Sequence, residues 1–263
     1  MSAWVSGVGV CAPGLPDWPS GRPVLAGSRP YGPEAALRFD RVRLPRNEAR
    51  RATLTVRLAL QAAGEALDAA GLDAGRCGAV FACAGGNTEA LDALCQALLE
   101  PERALSPGQF NHSVHNAPLG YWSIATGSMR PAVSVGAFDA TFAAGLLEAV
   151  ALARLEWRPV LLVAYDTPPP LALRPFRAVG APFGLALLLT PEPLPGSIAT
   201  LRDLRIRPGA ADSLPDERLE RLRLSNPAAR ALPLLRRLAI GGSAALALPY
   251  LPAARLELNV QVR

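Results

Sequence analysis

The sequence contains no lysine, so all 27 of its basic side chains are arginine. Histidine is nearly absent too: His112 and His115 are the only two, and aromatic residues make up 6% of the chain. The four cysteines, Cys11, Cys77, Cys83 and Cys95, show no CxxC spacing. That excludes a disulfide framework and a cysteine-based zinc site. The two histidines are flanked by Asn111 and Asn116 and lack the further ligands a metal centre needs, so no metal is expected. No apolar run is long enough to span a bilayer; the stretch Phe142–Val163 is broken by Glu148, Arg154 and Glu156. The start of the sequence has no basic n-region, since its first arginine is Arg22. These absences point to a cytoplasmic protein with reduced thiols.

What is present is a globular composition. The chain has 263 residues, 50% of them hydrophobic and 19% charged, enough to bury a sizeable core. The net charge is +5, with acids and arginines interspersed over most of the chain. An acidic protein partner fits this better than nucleic acid. The main cationic concentration is Arg38, Arg41, Arg43, Arg46, Arg50 and Arg51. Such a cluster is usually a solvated face; its functional reading is a docking surface for an acidic protein or phosphorylated carrier.

Strand and helix signals alternate. Apolar runs predict strands at 3–10, 79–83, 132–136, 159–166 and 183–190, with weaker signals near 200–206 and at 254–262. A four-residue apolar step through Leu54, Leu58, Ala62 and Ala66 predicts a helix from Asn47, its expected N-cap, to Ala70. Further helices are expected at 89–99, 141–155, near 215–223 and near 228–238, and one after Asn116 that Gly127 ends. This alternation predicts an α/β fold with a largely buried sheet. Residues 1–190 read as one domain, and residues 191–263 as a shortened C-terminal annex packed on it.

Two motifs suggest chemistry without securing it. Gly7-Val-Gly9 followed by Gly14 echoes a dinucleotide loop, which must open directly into a helix. Here it runs into LPDWPSGRP, whose prolines are expected to exclude one, so no cofactor is expected. Ser113 and His115, with an acid such as Asp139, have the residue types of a nucleophilic triad but no glycine elbow around the serine. The plainer reading makes both histidines hydrogen-bonded structural groups on a loop entering a helix.

Four segments together carry a resemblance: WVSGVGVCAPGLPDW, LPRNEARRATLTVRLALQAAGEAL, VFACAGGNTEALDALCQAL and FNHSVHNAPLGYWSIATG. They resemble the short β-ketoacyl-synthase-like chain-length factors of type II polyketide systems that make aryl polyene pigments, xanthomonadin among them. The similarity runs from about Ala3 to about Leu189. It implies a thiolase-like fold, layered α-β-α, with the second of the family's two related halves truncated. It also implies a non-catalytic subunit paired with a homologous active ketosynthase. That pair would meet an acyl carrier protein, for which the arginine cluster is the candidate docking face.

The condensation run by an active ketosynthase needs a cysteine thiolate and two polar partners, usually histidines, for its oxyanions. The segment that resembles the nucleophile region is AVSVGAFDATFAAGLLEA, with Phe138 or Asp139 at the former nucleophile position. No cysteine follows Cys95 and no histidine follows His115. The resemblance therefore implies no catalytic residue. It places His112, His115, Asn116, Tyr121, Trp122, Val133, Val135 and Phe138 at a partner interface or acyl tunnel, with Ala132–Gly136 as the strand at that interface. Two alternatives stay open: a stand-alone acyltransferase or thioesterase using Ser113 and His115, and an orphan homodimeric scaffold.

Overall fold

A computed structural model describes residues 1–263. The elements run, in chain order, β1 (Ser2–Cys11), α1 (Trp18–Ala26), α2 (Arg46–Arg51), α3 (Leu54–Ala70), β2 (Gly78–Ala82), α4 (Thr88–Leu99), α5 (Pro107–Ser113), α6 (Ala117–Thr126), β3 (Ala132–Val135) and α7 (Thr141–Leu155). They continue with β4 (Val160–Asp166), β5 (Phe183–Thr190), β6 (Ala199–Pro208), α8 (Glu217–Ser225), α9 (Leu232–Ile240), β7 (Ser243–Leu251) and β8 (Ala254–Val262). All eight strands form one sheet in the order β3-β2-β4-β5-β1-β6-β8-β7. β3, β2 and β4 are parallel, and every pairing beyond β4 is antiparallel. No helix is long and apolar enough to cross a membrane.

The sheet is the middle of three layers. Alternate residues of each central strand serve opposite faces, as the two-residue strand period requires. Phe81, Leu161, Val163, Tyr165 and Leu188 pack under α3 and α6. Val80, Leu162, Ala164, Leu185 and Leu187 pack on the other side, against α7, α9 and their neighbours. This is why β4 and β5, covered on both faces, read as unbroken apolar runs. The segment 191–263 adds β6, β8 and β7 to the same sheet.

Of the glycines that echo a dinucleotide loop, Gly7 and Gly9 lie inside β1 and Gly14 lies in the turn after it. A Cβ on Gly7 would stand 2.0 Å from the Ala66 carbonyl oxygen, and one on Gly9 2.1 Å from that of Ala62. These glycines let α3 lie directly on the strand. α3 also sends Glu65 into the sheet, where its carboxylate accepts from Val10 N at 2.8 Å and Trp18 N at 2.6 Å. Burial pushes that carboxyl up to about 7, against the pull of these two donors.

Several expected boundaries are corrected. The segment 12–33 contains α1 despite its prolines. Pro19 sits in the first turn, where its missing N–H costs nothing, and Asp17 caps the helix by accepting from Ser20 N at 2.7 Å. The single helix expected from Asn47 to Ala70 is two. Ala52 is extended, and Thr53, not Asn47, caps α3 by accepting from Val56 N at 3.4 Å. Pro107–Ser113 forms the unanticipated α5, which makes His112 a helical residue, and β7 was not anticipated either. By contrast α7 and β5 span the residues expected of them.

Candidate functional site

β3 leads into α7 through a sharp turn, Gly136–Ala140. At its tip Phe138 has φ +50°, the left-handed region that a bulky side chain adopts only when its surroundings hold it there. Thr141, fully buried in the first turn of α7, holds it: its hydroxyl donates to Phe138 O at 2.7 Å and accepts from Ala137 N at 3.0 Å. The result is a strand–turn–helix elbow of the kind that presents a nucleophile above a helix N-terminus. Here the tip presents a phenyl ring, 66% exposed, with the Arg177 guanidinium 3.9 Å from its centroid. The neighbouring Asp139 carboxylate is clamped by Arg177 at 2.7 Å and Arg230 at 2.9 Å. The elbow overlooks an open hollow of about 460 Å³ bounded by Phe138, Arg223, Arg230 and the β7–β8 turn.

The histidines are engaged elsewhere. His115 ties the β3 side of the sheet together, with Nε2 2.9 Å from Cys83 O and Nδ1 3.1 Å from Ser134 Oγ. His112 is buried and stacks on Tyr121, with ring centroids 5.2 Å apart and its Nε2 3.2 Å from the Tyr121 hydroxyl. Burial pulls its pKa below the ordinary value. Asn116 stands at the N-cap of α6 but makes no side-chain cap bond. Ser113 spends its hydroxyl on Phe110 O at 2.8 Å. Ser113, His115 and Asp139 thus each have other partners, and no Ser-His-acid triad assembles.

One buried polar cluster had no sequence signal. Asp166, at the end of β4, accepts from Ala84 N at 2.9 Å, Gly85 N at 3.1 Å and the Cys83 thiol at 3.4 Å. It thereby folds the loop after β2. Burial pushes the carboxyl up to about 6 and the Cys83 thiol well above its usual range. Such a thiol stays protonated and is a poor nucleophile. The partners of Asp166 lie about eighty residues away, and that separation leaves no local pattern to read.

β3 is one edge of the sheet and pairs only with β2. Pro131 and Val135 accept from Ala79 N and Cys83 N, so the odd positions face β2. Ala132 and Ser134 therefore present their N–H and C=O outward. Around this edge Met129 is 96% exposed, and Phe110, Val114, Ile124 and Phe138 are exposed as well. Val133 and Val135 are half-buried. Tyr121 is half-buried too, but Trp122 is only 4% exposed and packs on Phe81 with centroids 6.2 Å apart. Trp122 is thus a core residue, with almost no surface left to bury on association. In the arginine cluster, Arg41 and Arg43 pair with Asp68, while Arg38, Arg46, Arg50 and Arg51 are exposed.

Residues 27–233 match the family model described as beta-ketoacyl synthase, N-terminal domain. No curated protein sequence matches the chain. Among solved structures, it is similar to a chain of the ketosynthase ApeO in complex with its chain length factor ApeC from Xenorhabdus doucetiae, at 20% identity and a TM-score of 0.71, covering 99% of each chain. The ishigamide ketosynthase/chain length factor gives 13% identity and a TM-score of 0.75, over 100% of this chain and 99% of that one. A ketosynthase complex with a type II acyl carrier protein, AntDE:AntF, gives 13% and 0.76 over the same shares. The fold is the thiolase-like fold of the ketosynthases.

Proposed function

The chain belongs to the β-ketoacyl synthase family by its N-terminal domain, and from that premise we propose that it is a non-catalytic chain-length-factor subunit. In this reading it pairs with an active ketosynthase of a type II polyketide system and shapes the acyl tunnel and product length. The observation that carries it is the elbow. Its geometry is that of a nucleophile, yet Phe138 occupies the tip, Asp139 beside it is tied to two arginines, and no cysteine follows Cys95 in the sequence. No thiolate stands there to hold an acyl chain.

The open β3 edge supports the pairing. Its outward N–H and C=O groups can be met by the same strand of a homologous subunit, and the exposed apolar side chains around it would be covered in the process. His112, His115, Asn116 and Tyr121 then lie under the interface as supports, and Phe138 projects towards the shared tunnel. An aryl polyene product is the context that the sequence resemblance favours. Residues 1–190 supply the ketosynthase-like half, and residues 191–263 replace the second half with three strands. Arg38, Arg46, Arg50 and Arg51 are the exposed candidates for contact with an acidic carrier protein. Co-expression with its ketosynthase tests the reading. The two chains should co-purify, and acyl-loaded carrier protein should acylate the partner alone by intact-mass spectrometry. An acyl adduct on this chain, or the absence of a complex, overturns it.

A further inference from the structure

We propose that the hollow beside the elbow binds a small organic anion, a carboxylate or phosphate carried on a short apolar chain. Arg223 and Arg230 both line it. Arg223 uses Nε and Nη2 on Glu220, and Arg230 uses Nη2 on Asp139. Neither Nη1 makes a hydrogen bond to the protein, and both side chains line the same hollow. Arg230 is short of partners besides, because its Nε is buried without one.

The local charge favours an anion. Arg177, Arg223 and Arg230 converge here against only Asp139 and Glu220. Burial draws the Arg230 pKa down, Asp139 holds it up, and Arg223 and Arg177 draw it down again. A further negative charge would relieve that repulsion. Asp139 already shows that the arrangement fits a carboxylate, being gripped by two arginines at 2.7 and 2.9 Å. The rest of the lining includes Leu224, Pro249, Tyr250 and Leu251, and the volume of about 460 Å³ suits a small amphipathic molecule. The hollow shares Phe138 with the tunnel of the reading above, but every residue lining it belongs to this chain, so binding by the isolated chain can be tested without that reading.

Calorimetric titration of the full chain with hexanoate, hexyl phosphate and the neutral hexanamide tests it. One anion should bind at one site per chain, roughly tenfold or more tighter than the amide. The tighter of the two identifies the head group as carboxylate or phosphate. Arg230→Gln should weaken binding by roughly tenfold, whereas Asp139→Asn, which removes a competing negative charge, should strengthen it. Ala211→Trp, which fills the hollow from the half-buried loop before α8, should abolish binding, and Pro252→Trp, on the exposed β7–β8 turn, should do the same with the melting curve unchanged. Equal binding of the amide, no binding of either anion, or unaltered affinity in both Arg230→Gln and Ala211→Trp overturns the proposal.

Discussion

The two edges of the sheet are built in opposite ways. At the β7 edge the loop before α8 folds back along the strand. Asp212 N donates to Ala247 O at 2.8 Å, and the Asp212 carboxylate accepts from Ala247 N at 2.8 Å. Arg255 ties the same loop down through Ala210 O at 3.0 Å. A charged side chain thus occupies the ladder position that a neighbouring strand would need, one of the ways proteins blunt an edge. At the β3 edge nothing comparable happens: Ala132 and Ser134 point their backbone groups outward with no loop across them. One edge is finished within the chain; the other leaves its backbone groups open.

The largest expected effect breaks the open edge. Ala132→Pro removes one outward N–H while leaving the odd-position bonds to β2 untouched. Losing this ladder bond leaves the facing carbonyl of a pairing strand unmet, which costs about 1–3 kcal/mol, roughly ten- to a hundredfold in affinity for a strand-pairing partner. The isolated chain should melt within about 0.5 kcal/mol of the parent, as an exposed substitution does. Pull-down of the co-expressed ketosynthase and a melting curve read the two halves of this expectation. An intact complex would show that β3 is not the joining strand.

The sequence made these two edges unequally visible. β3 is legible because AVSVG is an apolar, valine-rich run followed by an alanine-rich helix, although no residue of it is fully buried; in β5 the burial itself is written into eight contiguous apolar or small residues. β7 was missed. Its segment SAALALPYL is alanine-rich, follows a glycine pair and carries a proline, all poor strand signals, and pairing with β8 overrides them. α1 is hidden by its prolines: Pro19 sits in the first turn, where it costs nothing, but Pro23 lies inside the helix, against the local signal. Within the site, Phe138 and Asp139 were found through the pattern around them. Arg177, Arg230 and Asp166 were not, because their partners lie tens of residues away. Trp122 looked like an interface anchor because composition does not tell which face of a helix an aromatic ring occupies.

A smaller effect sharpens the comparison from the other side. Asp212→Ala unblunts β7 and leaves the Ala247 N–H, on a buried residue, without its acceptor. The stability loss should be about 1–3 kcal/mol. The uncovered strand should also begin to self-associate, seen as a concentration-dependent shift in size-exclusion chromatography. If the variant stays monomeric at high concentration and melts like the parent, the Asp212 contact is not what closes that edge.

The smallest expected effect tests whether the open edge rests on a titrating support. Asp166 fixes the loop that follows β2, the strand that β3 pairs with, and His115 grips the same loop at Cys83 O. Its carboxyl is pushed up to about 6 from an ordinary value of 3.8. The folded chain therefore holds this proton more tightly than the unfolded chain, and protonation stabilises the fold. The contribution is fully present below pH 3.8 and is lost as pH rises through about 6. Glu65, pushed up to about 7, acts in the same sense, whereas Asp40 and Glu220 carry lowered values and act in the opposite one, so the slope of the parent alone does not isolate Asp166. Asp166→Asn isolates the group, because an amide does not titrate. The melting temperature of the parent, relative to this variant, should rise by a few degrees between pH 7 and pH 4. A difference that stays flat or shrinks on acidification would mean that Asp166 does not take up a proton in this range, and that its backbone donors outweigh its burial.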